Sequence, residues 1–170
     1  MTFYEFSTRW INSFIWAQQK INRKLEVFKM LLVHKFKIIE ANKHITYREV
    51  TSEVAVLIDD SLIQYIADTI KWVNSHWIDF SNFSTGINYY GITFFEGSEI
   101  SELELILENW KNMFEVAPDE FLLKTDYDLE EMIFIRENFS KMKVLKQLED
   151  VLQLCVNARD TSKILVHFGI

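Results

Sequence analysis

The stretch INYYGITFFEGS, residues 87–98, decides the fold. Its first nine residues are rich in β-branched and aromatic side chains, the composition that suits a pleated, half-buried surface, and EGS reads as a turn. A strand is therefore expected over Ile87–Phe95. The residues before it have helical spacing and those after it mix short strands with helices, so the chain is read as α+β.

Upstream, Trp10, Phe14, Ile21, Leu25, Phe28, Leu32 and Phe36 recur three, four or seven apart, which predicts one long helix, broken at most once. ANKHITYRE interrupts the pattern, and Thr51 or Ser52 is placed to cap a second helix. That helix is expected to reach about Trp77, with Val54, Leu57, Ile58, Leu62, Tyr65, Ile66, Ile70 and Val73 as its apolar stripe. The N-terminal part, 1–80, is thus expected to be a helical pair or short bundle. SNFSTG is read as a loop inside one domain spanning 1–170.

Downstream, Ser98 or Ser101 is expected to cap a helix. Its apolar residues Ile100, Leu103, Leu107, Trp110 and Phe114 fall on one face, and it ends near Val116, where Pro118 blocks continuation. EFLLKT, MIFI and KILVHF read as three further strands, with a helix between the last two that begins at Ser140 and turns Val144, Leu148, Val151, Leu152 and Cys155 inward. The part 85–170 is therefore expected to hold a small sheet of about four strands covered by helices.

Composition narrows the function classes. Four glycines and one proline cannot supply the phosphate-cradling loops of nucleotide-binding folds, and neither a GxSxG nor an HExxH pattern occurs. The single cysteine, Cys155, cannot form an internal bridge and is expected to be a core thiol in a reducing compartment. The opening MTFYEFSTRWINSFIW lacks the layout of a secretory leader, and no run of apolar residues is long enough to span a bilayer, so a cytoplasmic protein is expected. His34, His44, His76 and His167 stand far apart in sequence. Neither a metal centre, a catalytic residue nor a cofactor is expected.

Charge carries the partner information. The net charge is −7, yet residues 1–50 hold 9 basic and 4 acidic side chains, whereas 96–131 hold 2 basic and 12 acidic ones. Such a segment repels phosphate and attracts cations, which argues against nucleic acid as the partner. On the helix after Ser98, Leu105 falls opposite the apolar set with Glu102 and Glu108 beside it, the arrangement of a contact patch whose acids steer a cationic partner. Glu99, Asp119, Glu120, Asp126, Asp128, Glu130 and Glu131 extend the acidic region. Solvated charge is the ordinary reading of DYDLEE, residues 126–131, and helix capping that of Asp59 and Asp60.

The stretch YYGITFFEGSEISELELILENWKNMFEVAPDEFLLKTDYD, residues 89–128, with the terminal KILVHFGI, resembles a group of small bacterial cytosolic proteins that includes immunity-type partners of polymorphic toxins and contact-dependent inhibition systems. The resemblance implies a non-enzymatic inhibitor that blocks a cognate toxin, with contact residues that differ from pair to pair. A toxin that cleaves nucleic acid would present the cationic surface that an acidic inhibitor fits. Two other classes stay open: a regulatory domain that binds an endogenous partner, and a hydrolase with a site assembled from scattered carboxylates, His and Tyr.

Overall fold

The computed structural model describes residues 32–40, 55–129 and 132–170. Within Val33–Ile170, which forms one compact unit, the elements run β1 (Val33–Ile39), β2 (Val56–Asp59), α1 (Asp60–Ile70), β3 (Asn74–Trp77), β4 (Phe83–Thr85), β5 (Ile92–Phe95), α2 (Ser98–Glu115), β6 (Glu120–Asp128), β7 (Ile133–Ser140), α3 (Lys141–Asp160) and β8 (Ile164–Phe168). Six strands form an antiparallel sheet in the order β2-β1-β8-β5-β3-β4, and β6 and β7 form a separate hairpin.

The α+β class stands, but the expected layout does not. The described residues hold three helices, a six-stranded sheet and a hairpin, not an N-terminal helical pair joined to about four strands. The spacing places Leu32 and Phe36 in a long helix, yet Val33–Ile39 is a strand between β2 and β8. A spacing of four is also two strand periods, so the same residues satisfy both patterns, and His34, Phe36 and Ile38 share one face. The second expected helix is three elements: Val56–Asp59 and Asn74–Trp77 are strands, and only Asp60–Ile70 between them is helical. The expected strand at 87–95 shortens to Ile92–Phe95, while Phe83–Thr85, inside the supposed SNFSTG loop, pairs with β3. Trp10 to Phe28, Thr51 and Ser52 lie outside the described residues.

Alternation along the central strands sorts side chains onto two faces. Phe36, Phe95 and Leu165 face the helices and join Leu62, Ile63, Ile66, Ile100, Leu103, Leu107, Val144, Leu148, Val151 and Cys155 in the larger core. Ile39, Phe94, Ile164, Val166 and Phe168 form a second cluster on the other face, where the Phe80 ring lies 4.6 Å from that of Phe94. The hairpin joins the larger core through Phe121 and Phe139. A run of rings from Tyr65 through Trp110, Phe114 and Phe121 to Phe139, with successive centroids 5.5, 5.7, 5.6 and 6.0 Å apart, ties α1, α2 and the hairpin together.

The helix ends follow local chemistry in part. α2 begins after Gly97, whose φ of 53° suits glycine, so neither Ser98 nor Ser101 is its N-cap. Glu99 instead reaches back to accept the Glu96 N–H at 3.0 Å. Ser140 does occupy the N-cap position of α3, without a side-chain capping bond. Pro118 follows the end of α2 as expected.

Candidate functional site

Three adjacent strands place one polar side chain each on the helix-facing side of the sheet: His34 of β1, His167 of β8 and Thr93 of β5. All three are 0% exposed. Helix α1 lays Asp60 over them from its first turn, with Gln64 one turn further on, and the loop before β5 adds Tyr89. A buried polar group without a partner costs about 1–3 kcal/mol, so the bonding of this cluster is a full accounting question.

The bonds form one chain. His34 Nε2 lies 3.0 Å from Asp60 Oδ1, His34 Nδ1 lies 2.8 Å from His167 Nε2, and His167 Nδ1 lies 3.4 Å from Thr93 Oγ1. Asp60 also accepts bonds from the Tyr89 hydroxyl and, at 2.8 Å, from Gln64 Nε2. Thr93 Oγ1 accepts the Asn88 N–H at 2.7 Å. With both imidazoles neutral every group finds a partner of opposite kind: Thr93 donates to His167, His167 to His34, and His34 to the Asp60 carboxylate. The carboxylate gains further from the N-terminus of α1.

Electrostatics keep the chain neutral at its centre. Burial lowers the pKa of His34, against the raising effect of its hydrogen bond to Asp60, and burial together with the neighbouring His34 holds His167 well below the usual imidazole value. Burial, then the Asp60 bond, push the Tyr89 phenol up to about 12. Both imidazoles are fully buried. The chain can hold and relay a proton, and neither imidazole is exposed to solvent.

Gly169 sets the loop that carries Tyr89. The Gly169 N–H donates to the Gly91 carbonyl at 2.8 Å and the Ile170 N–H to the Tyr89 carbonyl at 3.1 Å. A Cβ at residue 169 would stand 2.1 Å from the Tyr89 carbonyl oxygen.

The residues singled out from the sequence fall elsewhere, and they do not form one patch. Glu102, Leu105 and Glu108 lie on the outer face of α2, with Leu105 60% exposed. The same face continues through Met113, 59% exposed, and Val116, 87% exposed, beside the outward Glu115. Glu99 is turned partly inward: its Oε1 lies 3.4 Å from His76 Nε2, and burial raises its pKa. Asp119 and Glu120 lie beyond the far end of the helix, where Glu120 accepts a bond from Asn138 Nδ2 at 2.9 Å. Glu99 and Glu115 stand roughly 24 Å apart along the helix axis. Asp126 and Asp128 pair through their backbones with Ile135 and Ile133, and Glu130 and Glu131 lie outside the described residues.

Two expectations need correction. His34 and His167, treated as isolated, are hydrogen-bonded across 133 positions of sequence. Asp60, read as a helix cap, binds His34 and Tyr89 instead, while Asp59 occupies the N-cap position and pairs with Lys143 at 2.6 Å. Cys155 is buried, as the helical stripe predicted, and burial pushes its thiol up to about 12. Among the described residues, no group of three or more His, Cys, Asp or Glu side chains could hold a metal ion, and no helix is long and apolar enough to cross a membrane.

Fold and site together define an antiparallel α+β protein with a polar chain sealed between sheet and helix. No protein-family model, curated protein or solved structure matches it.

Proposed function

We propose that this chain is a non-enzymatic immunity-type protein of the bacterial cytoplasm, which binds a cognate toxin domain with a cationic surface and blocks it. The observation that carries the reading is the outer face of α2. There Leu105 is exposed between the outward Glu102 and Glu108, and the exposed Met113 and Val116 lie further along, beyond the polar Asn109 and Asn112 and beside Glu115. Apolar side chains at the centre of a contact supply burial, and bordering carboxylates speed encounter with a basic partner and reject acidic ones. The resemblance of residues 89–128 to immunity-type proteins points the same way, and α2 lies within it. The full burial of both imidazoles favours a binder over a hydrolase built on this cluster.

The test is capture of the tagged protein's partner from its native strain at low and moderate salt. Recovery of one basic toxin domain in equimolar amount is expected, with the complex weakened by salt and lost in the Glu102→Lys, Glu108→Lys double variant. Inhibition of that toxin in vitro should vanish with the same double variant. Recovery without any dependence on these two charges would remove α2 as the contact. If a purified toxin domain retained full activity beside an excess of the protein, the inhibitor reading would fall.

A further inference from the structure

We propose that the His34–His167 pair is an acid-sensitive clasp between the six-stranded sheet and α1, which holds with no proton or one and opens when a second arrives. The proposal rests on geometry and is independent of the partner assigned to α2. His34 Nδ1 and His167 Nε2 face each other at 2.8 Å, so one of them must accept. With no added proton, His34 accepts from His167 and donates to Asp60. A first proton is accommodated by reversing the pair: His34 becomes an imidazolium that donates from both nitrogens, to Asp60 and to His167. His167 then carries its own hydrogen on Nδ1, toward Thr93 Oγ1. A second proton leaves two N–H groups and two positive charges in contact, with Asp60 as the only carboxylate bonded to the pair among the described residues.

The surroundings offer no relief for that second charge. From β5 the facing group is the neutral Thr93, from α1 the carboxylate of Asp60 and the neutral Gln64, and from the loop the Tyr89 phenol. The Phe36 ring lies 4.9 Å from the His167 ring. Lys35 and Lys37 alternate onto the other face of β1. Of the neighbouring elements' charges, Asp59 pairs with Lys143 of α3, and Glu137 of β7 accepts a bond from the Ser61 hydroxyl at 2.7 Å.

The sign follows from linkage. Both imidazoles have folded pKa values below those of the open chain, so the unfolded state binds more protons in mild acid. The stabilisation is complete above the ordinary imidazole pKa of about 6.5 and is lost as pH falls below it toward the folded values. Each imidazole kept from charging raises the unfolding constant by up to about tenfold per pH unit in that range.

The experiment measures denaturant unfolding from pH 8 to pH 5 for the wild type and for His167→Gln, whose amide can still bond His34. Groups away from the pair contribute alike to both proteins, so the difference reports on the pair itself. The wild-type constant should rise with a slope steeper by about one proton than that of the variant. Superimposed slopes would overturn the proposal. NMR of the wild type supplies a second reading that does not depend on the variant folding: the His167 ring should change at most from one neutral tautomer to the other, and should not take imidazolium shifts before the native spectrum disappears. Conversion of His167 to the imidazolium near pH 6.5 with the native spectrum retained would also overturn it.

Discussion

Trp110 of α2 donates its indole N–H to the Thr69 hydroxyl of α1 at 2.8 Å, and that hydroxyl donates in turn to the Ile66 carbonyl at 2.8 Å. A polar relay thus joins the two helices at the edge of an otherwise apolar contact. Trp110→Phe keeps a ring beside Phe114 but removes the donor, and should cost about 1 kcal/mol, the worth of one hydrogen bond. Trp110→Ala also loses the ring packing and should cost roughly 3 kcal/mol, the lower end of the range for a large aromatic because Trp110 is half-buried. Urea denaturation of the two variants beside the wild type checks both values.

The C-terminal elements were the legible ones. Helix α2 and the strands at EFLLKT, MIFI and KILVHF appear where spacing and β-propensity placed them, because Ile100 to Phe114 repeats at three and four over several turns. The helix at Asp60–Ile70 was legible too, but Val33–Ile39, Val56–Asp59 and Asn74–Trp77 were misread because their apolar runs are short and even-spaced: Leu32 and Phe36 fit a helix, and Val56 and Ile58 fit a strand equally well. The polar chain gave one signal that spacing rules pass over. KILVHF is apolar around a single histidine, and a histidine in a strand buried on both faces must find a partner. Which partner it finds depends on the order β1-β8-β5, and strand order is not written in any local pattern.

Tyr89 predicts an alkaline limb in the stability profile. Its phenol titrates at about 12 in the folded protein, against about 10 in an open chain. A folded pKa above the unfolded one means that the stabilisation is present below pH 10 and is lost as pH rises through 10 toward 12. Tyr89→Phe removes this group, so its unfolding curves should depend less steeply on pH between 10 and 12 than those of the wild type. Ultraviolet titration of tyrosinate should show one fewer late-ionising phenol in the variant.

Cys155 should be chemically silent while the fold is intact. The thiol is 0% exposed and its pKa stands at about 12, so almost none is thiolate at neutral pH, and thiolate is the reactive form. A chromogenic disulfide reagent should leave the native protein unmodified over hours and label one thiol per chain promptly in denaturant. Labelling of the native protein at the rate of a free thiol would contradict the burial of α3 against the sheet.

Gly169→Ala tests how the C-terminus governs the polar chain. The added methyl would meet the Tyr89 carbonyl oxygen at 2.1 Å and its carbon at 2.5 Å, both backbone atoms that cannot turn aside as a side chain can. The strand end and the Tyr89 loop must therefore separate, which breaks the bonds from Gly169 to Gly91 and from Ile170 to Tyr89. Overpacking of this kind costs about 1–3 kcal/mol, and the displaced loop carries the Tyr89 hydroxyl away from Asp60. The variant should melt lower than the wild type, and its alkaline limb should weaken toward that of Tyr89→Phe. Because both changes act on the same hydroxyl, the double variant Gly169→Ala, Tyr89→Phe should be less destabilised than the sum of the two single ones, and a thermodynamic cycle on the four proteins measures that shortfall.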